Sequence, residues 1–294
     1  MQIVVRHEYG LGNQLFQYAA GRYFAKKYAA SLRFAVERPV RQFSHGHARP
    51  FLLSKFLIPV NFVQISTFER LCLSIAPELE LATRPARSLL KMQIIREPKP
   101  QPHIFNRNLT IPEGTRRAYM VGMWQCYPPA QMVEEELRNE LLFREQPKGK
   151  NLEVARGILA TPNAVSLHIR RGDYALEFPE SVLTPEYYLK AIAQIKERLP
   201  SPKFFLFSDD PRFAHQFASQ NPSCTVIDHN GPQSAHEDLR LMSLCQHHII
   251  ANSTFSWWGA FLNPKKDKAV IVPRKWLKFE TSDIEIALPG WSLL

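Results

Sequence analysis

The chain has 294 residues, 45% of them hydrophobic, and a formal net charge of +10. That length suits one large or two modest domains with real cores. No apolar run of about 18 residues is present to span a bilayer, and the amino terminus lacks the basic-then-apolar order of a signal peptide. Cys72, Cys126, Cys224 and Cys245 form no C-x-x-C pair, which points to reduced thiols, a cytoplasmic address and no cysteine-based zinc site. The charge is uneven. Residues 1–150 hold 22 Lys and Arg against 12 Glu and no Asp, while residues 151–294 hold 15 basic and 15 acidic residues. Such a division supports two domains with different duties and makes anionic inner-membrane lipid, or another polyanion, a candidate partner of the first half. Nucleic acid is a poor fit, because the arginines neither cluster nor interleave with aromatics.

Ile3–Arg6 reads as a first strand. Gly10-Leu11-Gly12-Asn13-Gln14 follows as a glycine-rich turn. Leu15–Ala25 then reads as a helix with Phe16, Ala19, Ala20, Tyr23 and Phe24 on one face. Strand, glycine-rich turn and helix start make a cradle for phosphate or sugar, since the first N–H groups of a helix point outward unpaired. A plain tight turn has the same pattern. Leu32–Val36 is a second strand. From Arg38 to Pro112 the signal is poor, and Pro98, Pro100 and Pro102 mark an extended connection. Tyr119–Trp124 reads as a strand and Pro129–Phe143 as one helix. The polar segment 146–150 marks a boundary, giving domains 1–147 and 148–294.

The second half alternates strand and helix. Val165–Ile169 is a buried strand that runs into Arg170-Arg171-Gly172-Asp173. A helix starts at Thr184-Pro185 with Tyr188, Ile192, Ile195 and Leu199 inward. Phe204–Phe207 is a strand ending in Ser208-Asp209-Asp210, where Ser208 or Asp209 is a candidate helix cap. Thr225–Ile227 is a strand, and Ser234-x-x-Glu237 a capping box for the next helix. His248–Ala251 ends in Asn252-Ser253-Thr254, with Thr254 as candidate cap, and a helix carries Ser256, Trp257 and Trp258. Ala269–Val272 closes the series. This alternation means a parallel, doubly wound α/β sheet.

Three strand ends therefore carry polar clusters along one sheet edge: His168/Arg170/Arg171/Asp173, Ser208/Asp209/Asp210 and Asn252/Ser253/Thr254/Ser256. Ligands bind at that edge in open α/β sheets. Arginine offers a planar fork that grips phosphate oxygens in pairs. The aspartates offer acceptors for a base or a ribose hydroxyl, and Asp173 for one of the arginines. A nucleoside diphosphate needs this mixture. No D-x-D pair occurs, so arginine rather than a metal is expected to steady the diphosphate. Trp257 and Trp258 are better read as core than as sugar platforms. His247 and His248 are better read as structural than as ligands.

The runs Gly10-Leu11-Gly12-Asn13-Gln14-Leu15-Phe16-Gln17-Tyr18-Ala19, His168-Ile169-Arg170-Arg171-Gly172-Asp173-Tyr174, Phe207-Ser208-Asp209-Asp210 and Asn252-Ser253-Thr254-Phe255-Ser256-Trp257-Trp258-Gly259 resemble the motifs of glycosyltransferase family 11, the α-1,2-fucosyltransferases. Tyr9 stands where that family usually has glycine. The resemblance implies a GT-B-like enzyme of two Rossmann-like domains facing a cleft, the first on the acceptor side and the second binding GDP-L-fucose. It implies inverting transfer of fucose to the 2-hydroxyl of a terminal β-galactoside, with no cofactor and no metal. Arg170 would then hold the departing phosphate. Asp173 and Glu177 become the other catalytic candidates, with Glu180, Glu8 and His7 as alternatives for the base. Gly12, Asn13, Gln14, His168, Arg170, Arg171, Ser208, Asp209, Asp210, Asn252, Ser253, Thr254 and Ser256 become the substrate contacts. The rival readings are a fucosyltransferase of another linkage or acceptor class, a non-catalytic GDP-sugar or glycan-binding module, and a membrane-surface structural protein.

Overall fold

The computed structural model describes residues 1–7, 9–35, 50–75, 80–97, 103–172, 174–277 and 285–294. The chain forms two compact units, Met1–Leu142 and Phe143–Leu294. The first contains β1 (Gln2–Val5), α1 (Leu11–Lys27), β2 (Ser31–Ala35), β3 (Phe62–Val63), α2 (Thr67–Ser74), α3 (Glu80–Leu89), β4 (Met92–Arg96), β5 (Arg117–Val121), α4 (Tyr127–Met132) and α5 (Glu134–Glu140). Its sheet is parallel, in the order β3-β2-β1-β5-β4. Strand β1 is central, and Ile3, Val4 and Val5 are buried, as a strand covered on both faces requires.

Helix α1 begins at Leu11, four residues before the apolar pattern suggests, so Gly12, Asn13 and Gln14 lie in its first turn rather than in a loop. It is also not one-faced. Ten of the eleven residues from Leu11 to Gly21 are buried, Asn13 being the exception. Gly21 makes this possible: a Cβ there would lie 2.4 Å from Val5 Cγ2 and 2.9 Å from Leu32 Cδ1. The helix thus presses its backbone onto β1 and β2, and periodicity fails because its upper turns are enclosed. Gln14 completes the fit. Its amide donates to the carbonyls of Tyr9 (2.9 Å) and Pro50 (2.8 Å) and accepts from the Leu52 N–H (3.0 Å).

Other expectations shift locally. Strand β5 starts at Arg117 and stops at Val121, because Gly122 and Trp124 take φ values of +140° and +56°. The helix expected over 129–143 is two helices broken at Val133. The signal-poor region holds β3, α2, α3 and β4, and Pro98, Pro100 and Pro102 lie outside the described residues. Helix α2 carries a capping box: Ser66 Oγ accepts from the Glu69 N–H (3.2 Å), and Glu69 Oε2 from the Ser66 N–H (2.7 Å).

The second unit contains α6 (Gly149–Ala160), β6 (Ala164–Ile169), α7 (Tyr174–Glu177), α8 (Pro185–Arg198), β7 (Lys203–Ser208), α9 (Pro211–Ser219), β8 (Cys224–Ile227), α10 (Ala235–Leu244), β9 (His247–Ile249), α11 (Thr254–Leu262), β10 (Val270–Val272) and β11 (Ser292–Leu293). The parallel sheet runs β11-β10-β9-β6-β7-β8. The chain enters at β6, builds outward to β8, then returns to the other side of β6 with β9. That reversal is the switch point where a doubly wound sheet opens a crevice. Trp257 and Trp258 are fully buried core. His248 is structural too: its Nε2 meets Asn263 Nδ2 (2.8 Å), so its Nδ1–H donates to Ser166 Oγ (2.8 Å). The capping box expected at Ser234 does not form, because a 3-10 turn over Pro232–Ser234 feeds straight into α10 and the Ser234 side chain makes no capping bond.

Gly21→Ala is expected to destabilise the chain by about 1–3 kcal/mol, the usual cost of overpacking. Urea unfolding checks it, and an unchanged midpoint contradicts the close α1–β1 approach.

Candidate active site

The site grows from the end of β6. In register, Ile169 pairs with Ser208, so the residues after β6 and after β7 emerge side by side. Arg170 Nη1 lies 2.8 Å from Asp209 Oδ2, and Arg171 Nε lies 3.2 Å from Asp210 Oδ2. The Arg171 backbone N–H donates to Asp209 Oδ1 at 2.8 Å. Asp209 therefore holds both the guanidinium of one arginine and the backbone of the next. Asp210 is the cap of α9, accepting from the Phe213 N–H (3.0 Å), and its own N–H donates to Ser208 Oγ (3.1 Å). Neither Ser208 nor Asp209 is the cap. The Arg171 guanidinium also lies over the Phe213 ring at 4.1 Å, and that of Arg170 lies 5.5 Å from the Tyr174 ring centroid.

These pairings revise the sequence reading. The aspartates first serve as orienting groups for the arginines, not as free acceptors awaiting a base. Asp173, expected to pair with an arginine, lies outside the described residues, as does Glu8. Gly172 has a clear reason to be glycine: a Cβ there would fall 2.3 Å from Asp209 Oδ2. Each arginine stays about one-fifth to one-third exposed, with side-chain exposures of 20% and 29%. Each guanidinium is therefore anchored by a carboxylate while part of the side chain reaches the surface.

His168 lies one residue inside the strand and is 4% exposed. Burial, then the neighbouring Arg170 charge, pushes its pKa down to about 3. It is a neutral imidazole, and its buried Nδ1 has no partner within the described residues. On the other side of β6, Asn252 follows β9. Its Nδ2 donates to the carbonyls of Ser181 (2.8 Å) and Trp276 (2.7 Å), tying three loops together. Ser253, not Thr254, stands at the cap position of α11, without a side-chain capping bond; Ser256 Oγ donates back to the Ser253 carbonyl (3.3 Å). The arginine loop and the start of α11 thus flank the switch point, a cation pair on one side and a helix N-terminus on the other. Glu177 closes the one-turn helix α7 just after the arginine loop, and Glu180 is exposed in the 3-10 turn beyond.

In the first unit, Gly12, Asn13 and Gln14 gather at the carboxyl end of β1. Gln14 is spent on backbone, as described above. Asn13 is oriented: its Oδ1 accepts from Gln125 Nε2 (2.8 Å), and Gln125 Oε1 meets His103 Nε2 at 3.0 Å. The Gln125 bond fixes which way the Asn13 amide faces. His7 packs edge-on against Phe51 at 4.6 Å. Tyr9 is left-handed at φ +68°, a conformation that costs a non-glycine residue about 1–2 kcal/mol. Sequence reasoning missed His103 and Gln125, which carry no motif of their own. It also missed the Arg–Asp pairing, although the Asp209-Asp210 doublet at a neighbouring strand end was its visible trace.

Two parallel α/β units with this strand-end chemistry define a GT-B glycosyltransferase fold. Residues 2–294 match the family described as Glycosyl transferase family 11, and the chain belongs to it. Two relatives from Escherichia coli span nearly the whole chain. An O-antigen biosynthesis glycosyltransferase, WbnK, is 31% identical, covering 91% of this chain and 92% of its own. An alpha-1,2-colitosyltransferase is 30% identical, covering 95% and 93%. Among solved structures, the NodZ alpha-1,6-fucosyltransferase co-crystallised with GDP superimposes with a TM-score of 0.54 at 16% identity, covering 90% of this chain and 92% of that one.

Gly172→Ala is expected to push Asp209 aside and lower turnover by as much as about 10²-fold through misplaced arginines, with the circular dichroism spectrum unchanged. Steady-state kinetics checks it. A second expectation concerns pH. Unfolded histidine titrates near 6.5, whereas folded His168 titrates near 3. Between those values the unfolded chain binds a proton that the folded chain excludes, so stability falls as pH drops. The slope from this group is about 1.4 kcal/mol per pH unit. Urea unfolding from pH 7 to pH 4 should show that slope reduced by about one proton in His168→Gln.

Proposed function

We propose that this chain transfers L-fucose from GDP-β-L-fucose to the 2-hydroxyl of a terminal β-galactoside, inverting the anomeric centre and using no metal. One observation carries the reading: Arg170 stands at the switch point of the second sheet with its guanidinium held by Asp209 at 2.8 Å and its side chain 20% exposed. A fork fixed in that way suits a diphosphate, whose negative charge grows as the sugar leaves. Stabilising that charge in a transition state of oxocarbenium character is the main task of such an enzyme. The N-terminus of α11 adds partial positive charge on the other side of β6. In this reading Asp209 and Asp210 orient, Arg170 binds the β-phosphate, and Arg171 shapes the loop. Asn13, oriented by Gln125, is the first unit's candidate substrate contact. Glu177 is the first candidate to take the proton of the acceptor hydroxyl, and Asp173 is the alternative. A loose transition state makes little demand on that base.

The α-1,2 linkage in the name of one full-length relative supports the regiochemistry. The same name supports a second reading, in which the sugar transferred is colitose. Both readings use the same grip on the nucleotide and differ only in the sugar. A panel of GDP-L-fucose and GDP-colitose against β-galactosides, with linkage analysis of the product, separates them. We expect a 1→2-linked fucoside, formed equally well with EDTA present. Arg170→Lys is expected to lower turnover about 10²–10³-fold, as loss of a fixed charge-stabilising donor does. Near-normal rates in a folded Arg170→Lys variant contradict the forked grip, and inhibition by EDTA contradicts the metal-free reading.

A further inference from the structure

The excess positive charge of residues 1–150 has no role in the chemistry above, and part of it gathers at one place. Helix α3 ends at Leu89. The chain then turns at Lys91, whose φ of +51° is left-handed, and enters β4 at Met92. The Lys91 carbonyl accepts the Arg116 N–H at 2.7 Å, so the residue before β5 lies beside this turn. All of this is the amino-terminal rim of the first sheet. It lies opposite the carboxyl rim, where Asn13 stands in the first turn of α1.

Two features meet at the rim. Leu89 and Leu90 are 85% and 50% exposed, adjacent leucines at the tip of a turn. Next to them opens a pocket of about 560 Å³ whose lining includes Arg84, Arg87 and Lys91, with Glu113 as the opposing acid. Arg84, Lys91 and Arg116 are exposed. Exposed leucines at a turn are costly in water, while cations around them recognise negative charge. An anionic lipid surface satisfies both: the leucines enter the headgroup boundary and the cations meet the phosphates.

We propose that this rim docks the chain onto an anionic bilayer, with Leu89 and Leu90 inserted and Arg84, Lys91 and Arg116 against the headgroups. The proposal goes beyond the catalytic reading and does not depend on it. A bilayer seated there leaves the carboxyl rim of the first sheet uncovered. Each cation near such a surface contributes about fivefold in partitioning, equivalent to about 1 kcal/mol.

The test is co-sedimentation of the full chain with phosphatidylcholine vesicles, with or without phosphatidylglycerol, at low salt. Binding is expected only with the anionic lipid. It should fall by at least about 25-fold in Arg84→Glu/Lys91→Glu, the product of two such cations. Leu89→Ser/Leu90→Ser should also weaken it, and should remove the part that survives high salt. Arg84, Leu89, Leu90 and Lys91 are all exposed, and circular dichroism verifies folding. Equal binding to neutral vesicles overturns the proposal, as does no binding to either or full retention in the charge-reversed variant. Displacement by inorganic phosphate at constant ionic strength also overturns it, since the pocket would then be a small-anion site.

Discussion

The second unit depends on one electrostatic arrangement: two adjacent arginines at the end of β6, each held by one of two adjacent aspartates at the end of β7. A parallel ladder makes this possible. Because Ile169 stands opposite Ser208, the next residues of both strands leave the sheet together. The carboxylates do not cancel the arginines. They hold each guanidinium in one orientation while its side chain stays 20% exposed for Arg170 and 29% for Arg171, so an anion arriving there would meet a fork already in place. The ordering cost is met on folding rather than on binding. Gly172 belongs to the same arrangement, since any side chain there would collide with Asp209.

The first unit uses a different device for the same purpose. Its glycine-rich segment is not a loose cradle but the first turn of a helix buried almost all round. Gln14 fastens the segments on either side through three backbone hydrogen bonds, and Gln125 fixes which way Asn13 faces. Amides act here as clamps on backbone and on each other. In both units, then, polar groups close to the sheet edge hold the residues that are left to meet a ligand.

Much of this was legible in the sequence, and what was not has physical reasons. Alternating strands and helices in the second half follow from periodicity, and the three polar strand ends lie on one edge because a parallel sheet leaves them no other place. Trp257 and Trp258 were read correctly as core. The start of α1 was missed because enclosure removes the one-faced pattern on which helix reading rests, and Gly21, the cause of that enclosure, looks like a helix breaker in one dimension. The stretch before β5 was missed because β3 has two residues and β4 five, too short for period alone. Which carboxylate each arginine would choose was not legible. The choice depends on strand register, and Asp173 was nearer in sequence than Asp209.

The account rests on Arg170 acting on the second phosphate of the nucleotide. Calorimetric titration of GDP and GMP into the native chain and into Arg170→Ala tests this most directly. The account predicts that GDP affinity falls to near that of GMP in the variant, while GMP affinity is almost unchanged. Equal loss for both nucleotides, or no loss for GDP, would contradict it.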